Sequence, residues 1–238
     1  MVLFAVIAVS FVAIFFIPKF GQNPDYHDFA DQRAYLGIPN FFDVASNFGF
    51  LIVGLMGFAT SRRMGLSPDW IVLFVGVTLV SIGSGYYHWA PSNSTLVWDR
   101  LPMTIGFMGL FVALLAEHAG ERLRVLLIPA LIVGAASVFY WYFTDDLRFY
   151  AWIQVVPLLT VPLVLGLFCA RFTHRWLLLV ALILYVAAKL TETFDDQIFN
   201  SLNSAMSGHT IKHILSALGV LAILIMLKTR RESEKMTK

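Results

Sequence analysis

Apolar residues come in long runs along this chain, at 2–17, 39–60, 70–88, 100–117, 123–143, 149–169, 175–194 and 209–227, with short polar segments between them. A helix needs about 20 apolar residues to cross the hydrocarbon core of a bilayer. Isolated strands would leave their backbone hydrogen bonds unmade in lipid, so the runs are helical. The pattern predicts an all-α fold: a polytopic membrane helical bundle with a seven-helix core plus one extra N-terminal helix. Residues 1–38 would form the extra transmembrane helix and an acidic outer loop, 39–227 the seven-helix membrane domain, and 228–238 a basic cytoplasmic tail. Pro39 suits the first turn of a helix, where its missing N–H costs nothing. The polar segments 89–99 and 195–208 read as outer loops, with Ser207 placed to cap the last helix.

Composition removes the soluble classes. At 58% hydrophobic and 13% charged residues, with a mean hydropathy of +0.75, the chain is too apolar for an ordinary soluble domain. The net charge of +2 matters less than its placement. Arg62, Arg63, Arg122, Arg124, Arg171, Arg175 and the tail residues Lys228, Arg230, Arg231, Lys235 and Lys238 fall on one side, against Lys19, Arg33, Arg100 and Arg148 on the other. This bias puts both termini in the cytoplasm when all the runs cross. The tail reads as a solvated end that favours anionic headgroups, not as a nucleic-acid contact. Run 2–17 lacks a basic leader and ends in Ile17-Pro18-Lys19-Phe20 with no small-residue cleavage site, so it is expected to be retained. The single Cys169, placed in an apolar run, rules out an intrachain disulfide and a multi-thiolate metal site.

Four ionisable residues then stand out. His88 closes one run, Asp99 precedes the next, and His209 and His213 open the last, which brings all four to the same membrane face. Ionisable groups at that depth are costly and mark functional sites. His209 and His213, four apart, share a helix face on which two imidazoles can hold one metal ion. Alone, that pair is equally a structural or interfacial feature. With His88 the set becomes three histidines and an open fourth position, the pattern of a catalytic zinc site. Ser84 lies one turn before His88, where it either joins the site or bonds its own helix backbone. Asp99 is either a proton carrier or a first-turn carboxylate facing the helix dipole.

Ser84-x-x-x-His88, Asp99-Arg100-Leu101-Pro102-Met103 and His209-x-x-x-His213, in this order and spacing, resemble the alkaline ceramidases. These belong to a superfamily of seven-helix membrane hydrolases that includes the adiponectin-receptor-like proteins. The stretch from Asn40 to Asn47 is similar to the opening of that family's first core helix, and the resemblance covers residues 39–227. It implies that His88, His209 and His213 hold zinc with a water in the open position, that Asp99 is the acid/base, and that Ser84 steadies the scissile carbonyl. It further implies hydrolysis of the amide bond of a membrane lipid, ceramide first. Eukaryotic members also bind calcium on an acidic N-terminal segment, and Asp25, Asp28, Asp31 and Asp43 are the matching oxygen donors here. Asn40 departs from that pattern, standing where the family carries glutamate.

The remaining polar residues have quieter readings. Lys189, Glu192 and Asp196 share a helix face, with Lys189 and Glu192 expected to pair. Lys212 is expected to point away from the histidines and snorkel to the interface. His27 shows no convergent partner, and His118 and His174 fall at the opposite face. Trp89, Trp98, Tyr150 and Trp152 read as lipid-facing or interfacial anchors. A receptor or transporter with structural zinc competes with the hydrolase. A retinal protein on Lys189 or a haem protein is the third class, and either would be coloured. The topology suits a bacterial inner membrane with the site facing the periplasm, or an endoplasmic reticulum or Golgi membrane in a eukaryote.

Overall fold

The computed structural model of the chain describes residues 1–169 and 171–232, so Lys235 and Lys238 of the expected tail lie outside the described residues. The described residues form a helical bundle. After α1 (Val2–Ala13) come α2 (Phe41–Ser46), α3 (Phe48–Arg63), α4 (Pro68–Trp89), α5 (Asn93–Ala119), α6 (Leu127–Thr144), α7 (Arg148–Leu167), α8 (Leu177–Thr193), α9 (Asp195–Ser201) and α10 (Gly208–Thr229). Among the described residues six segments are long and apolar enough to cross a membrane. A seventh is obtained when α8 and α9, bent by 82° at Phe194, count as one. Ile82, Ile128, Phe143 and Ile183 stand exposed on the outside of the bundle, the surface that lipid covers. The chain is an integral, multi-pass membrane protein.

α1, continued by a 3-10 turn over Ile14–Phe16, is apolar but short, and it packs beside α7. Residues 17–40 then run as a strap across the end of the bundle that carries His88 and His209. Pro39 does not start a helix: it lies in the turn before Asn40, whose φ of 47° breaks the chain direction before Phe41. α5 begins earlier than the hydropathy suggests, because Ser92 accepts from the Thr95 amide and starts the helix at Asn93. Asp99 therefore lies inside a helix and not in a loop. The expected loop 195–208 contains α9, and the bend at Phe194 carries Asp196 off the face of Lys189 and Glu192.

Packing around the site rests on glycine. A Cβ on Gly76 would meet the Gly106 amide at 2.3 Å, and one on Gly109 the Leu73 amide at 2.6 Å. α4 and α5 thus touch backbone to backbone, the close approach that small residues permit between membrane helices. Pro102 contributes to the same seam. It lacks the N–H that would bond to the Trp98 carbonyl one turn earlier. Gly83 of α4 lies against that freed oxygen, where a Cβ would stand 1.9 Å away. This contact sets Ser84 beside Asp99.

The opposite end of the bundle is closed by charge. Glu117 takes both guanidinium nitrogens of Arg230 at 2.8 Å and the Trp70 indole at 2.8 Å. The expected solvated tail is therefore pinned at its start, with Arg230 also lying over Phe172. Cys169 falls beyond the end of α7 and is exposed.

Candidate metal centre

The N-terminus of α10 is held by its own cap residue and by two groups from elsewhere in the chain. Ser207 accepts from the Thr210 amide, as its position before the helix predicts. Asp195 accepts from the His209 amide at 2.7 Å. Asp43 of α2 accepts from the Thr210 hydroxyl at 2.6 Å. So anchored, α10 presents His209 and His213 to His88, the penultimate residue of α4. All three are buried, and their ring nitrogens lie within 4.8 Å of one another. His88 Nε2 and His209 Nε2 are 3.3 Å apart. Among the described residues this is the one group of three or more potential metal ligands so close together.

The ring of His213 has a defined orientation. Ser46 donates its proton to the Asp43 carbonyl at 3.0 Å, so at 2.7 Å it accepts from His213 Nδ1. The lone pair of His213 is then on Nε2. Fixing a ligand tautomer through its second ring nitrogen is the usual support of a metal-binding imidazole. Three buried imidazoles with converging nitrogens are a donor set that suits zinc. Asn40 donates to the His88 carbonyl at 2.8 Å, which ties the strap to the end of α4.

Lys212 departs from expectation. It does not snorkel outward; its Nζ donates to His209 Nε2 at 2.7 Å and to Glu192 Oε1 at 2.9 Å. The reason is geometric: Lys212 follows His209 by three residues, a spacing that faces it as well as four does. Glu192 also pairs with Lys189, as expected, and accepts from Tyr26 at 2.9 Å. Burial pushes the Tyr26 phenol well above its ordinary range, so it serves as a neutral donor.

The strap seals this centre. Phe29, buried, packs its ring 4.7 Å from that of His88 and 4.9 Å from that of His209. Its neighbour Ala30 is bound through its amide to Asp195. His27 has partners after all, Tyr87 at 2.9 Å and Asn93 at 3.0 Å, and holds the strap to α4 and α5. His118 and His174 are far from this end, as expected.

Ser84 and Asp99, on the two sides of the glycine seam, both line a cavity of about 500 Å³ that His213 lines as well. Its deeper wall is apolar, made by residues such as Leu73, Val77, Leu110, Val161 and Ile223. Along α5 it extends from Asp99 to Leu110, about 16 Å of helix. Tyr150, expected to face lipid, is buried and lines the cavity, and Trp152 bonds to Ser10. Trp89 and Trp98 are exposed, as interfacial anchors are.

The four aspartates do not converge. Asp31 is engaged at both oxygens by Arg33, at 2.7 and 2.6 Å. Asp28 accepts from Gln32, Asp25 is exposed in the strap, and Asp43 serves α10. This arrangement does not fit calcium. Ser46, Asp195, Phe29 and Asn40 escape a reading based on helical spacing, because their roles depend on contacts between distant segments.

A family model described as Ceramidase matches residues 35–238. No curated protein matches the chain.

Proposed function

Because this chain belongs to the ceramidase family, we propose that it hydrolyses the amide bond of a membrane lipid, ceramide being the simplest case, with zinc held by His88, His209 and His213. The observation that carries this reading is the shared cavity: Ser84, Asp99 and His213 all line it, together with Arg100, Glu192 and Lys212, and Leu73, Val77, Leu110, Val161 and Ile223 give it an apolar wall. An amphiphile fits that division, with its amide at the histidines and an acyl chain along α5. A zinc ion at the three histidines would supply Lewis acidity, polarising the amide carbonyl and acidifying water.

The chain's own residues do the rest. Asp99, a carboxylate lining the cavity, collects a proton from the attacking water and returns it to the leaving amine. Ser84, beside it, offers its hydroxyl to the carbonyl oxygen as charge builds there. Phe29 and Tyr87 flank His88 and keep bulk water from its ring. Glu192 gives Lys212 a second acceptor to which the lysine can turn when the His209 nitrogen takes a metal ion. The basic residues at the opposite end favour an orientation with the site facing the periplasm or lumen.

Purified protein should contain about one zinc per chain and release fatty acid from ceramide. His213→Ala should abolish both while leaving a folded, monodisperse protein. Turnover that survives this substitution would overturn the reading.

A further inference from the structure

Arg100 follows Asp99 in the chain and lines the same cavity, yet the hydrolytic chemistry leaves it unused. It is 6% exposed. Its Nη2 donates to Gln22 Oε1 at 2.5 Å, while Nη1 has no acceptor among the described residues. None of the described aspartates or glutamates forms an ion pair with it. The guanidinium lies over two rings, 3.9 Å from the centroid of Trp141 and 4.7 Å from that of Tyr150. Trp141 Nε1, buried on the first of those rings, also lacks an acceptor.

A buried cation with no carboxylate in ion-pair contact is expensive, and more so at membrane depth. Cation–π contacts offset only part of that cost. Two neighbouring donors without acceptors add to it. What this corner requires is an acceptor-rich anion, and a guanidinium fork is the group that grips phosphate or carboxylate through paired bonds. The location suits a lipid head. Gln22 belongs to the strap at the outer end of the bundle, where its amide donates to Asp145 at 2.8 Å. The apolar part of the cavity lies deeper.

We propose that Arg100, with the Gln22 carboxamide beside it, recognises an anionic head on the lipid, so that the chain acts on N-acyl lipids bearing a phosphate or carboxylate in preference to neutral ceramide. This rests on the amide-hydrolysis reading above and narrows its substrate.

The test compares three substrates of equal acyl length with the zinc-loaded protein: ceramide, ceramide 1-phosphate and an N-acyl amino acid. At least one anionic substrate should exceed ceramide by about tenfold or more in kcat/KM, mainly through KM. Whether the phosphate or the carboxylate leads identifies the head. Arg100→Gln should cut the anionic-to-neutral ratio by about tenfold, and Arg100→Lys should recover part of it. A wild-type preference for ceramide, or a ratio that Arg100→Gln leaves unmoved, overturns the proposal. Should Arg100→Gln not fold, the wild-type ratio still decides.

Failure to cleave any of the three would instead count against amide hydrolysis itself. The subsite is then read by binding: an alkyl phosphate should raise the Tm of the wild type above the effect of a neutral alkyl glycoside of equal chain length. Equal shifts would sink the proposal.

Discussion

The hydroxyl of Ser46 stands 2.7 Å from Nδ1 of His213, and its own proton is committed to the Asp43 carbonyl. Ser46 touches neither the cavity nor the reacting atoms, so it is a positioning residue for the imidazole. Ser46→Ala should weaken zinc binding by about 10- to 100-fold, the usual effect of losing such a support. Competition with a colorimetric chelator measures this directly. Ser46→Thr, which keeps the hydroxyl, should restore most of the affinity, whereas unchanged zinc binding in the alanine variant would remove Ser46 from the centre.

Lys212 is shared between His209 and Glu192, and the balance between these acceptors should govern metal affinity. Glu192→Gln removes the charge that draws Lys212 away from the imidazole. Zinc affinity is expected to drop about tenfold. Adding Lys212→Met should recover most of it, since the competitor for the ring nitrogen is then gone. A double variant as weak as the single would show that Glu192 acts by another route.

Gly83 and Gly85 make a matched pair two residues apart on α4. A Cβ on Gly83 would lie 1.9 Å from the Trp98 carbonyl, while one on Gly85 meets nothing within 4 Å. Gly83→Ala should cost about 1–3 kcal/mol through overpacking and separate Ser84 from Asp99. Gly85→Ala should be neutral or stabilise by up to about 1 kcal/mol, as expected for glycine replaced in a helix. Thermal unfolding in detergent distinguishes the two. Similar Tm values would mean that the seam is loose.

Outside the membrane, Arg148 holds the Asp146 carboxyl below the usual carboxylate range, and also donates to the Ile17 carbonyl at the start of the strap. A depressed folded-state pKa means the pair's stabilisation is fully present above the unfolded value of about 3.9 and is lost as pH falls through the lower folded value. The gain of wild type over Asp146→Asn should be small, because the arginine is partly exposed. In a pH series of Tm it should be constant from pH 7 down to about pH 5 and fade in stronger acid. A gap that widens in acid would contradict the assignment.

The helical bundle and the His209/His213 pair are legible because both follow from local spacing, and His88 joins them because successive spans alternate in direction. A run of apolar residues implies a span wherever it packs, and residues four apart share a face in any helix. What stayed hidden depends on contacts between segments far apart in the chain. Phe29, Tyr26 and Gln22 lie in a strap with no period to read, and Asp195 acts on His209 only because α8 breaks at Phe194. Lys212 escapes for a different reason. Its offset from His213 suggests an outward direction, but its spacing from His209 brings it back to the site, where Glu192 waits on another helix.

The strap has one more consequence. The family match begins at residue 35, after the roof formed by Tyr26, His27 and Phe29. A recombinant version trimmed to that boundary would keep the helices that carry His88, His209 and His213, yet its centre would stand open to water. The segment that the family model matches is thus shorter than the unit that encloses the histidines, and the difference is a length of irregular chain lying over their rings.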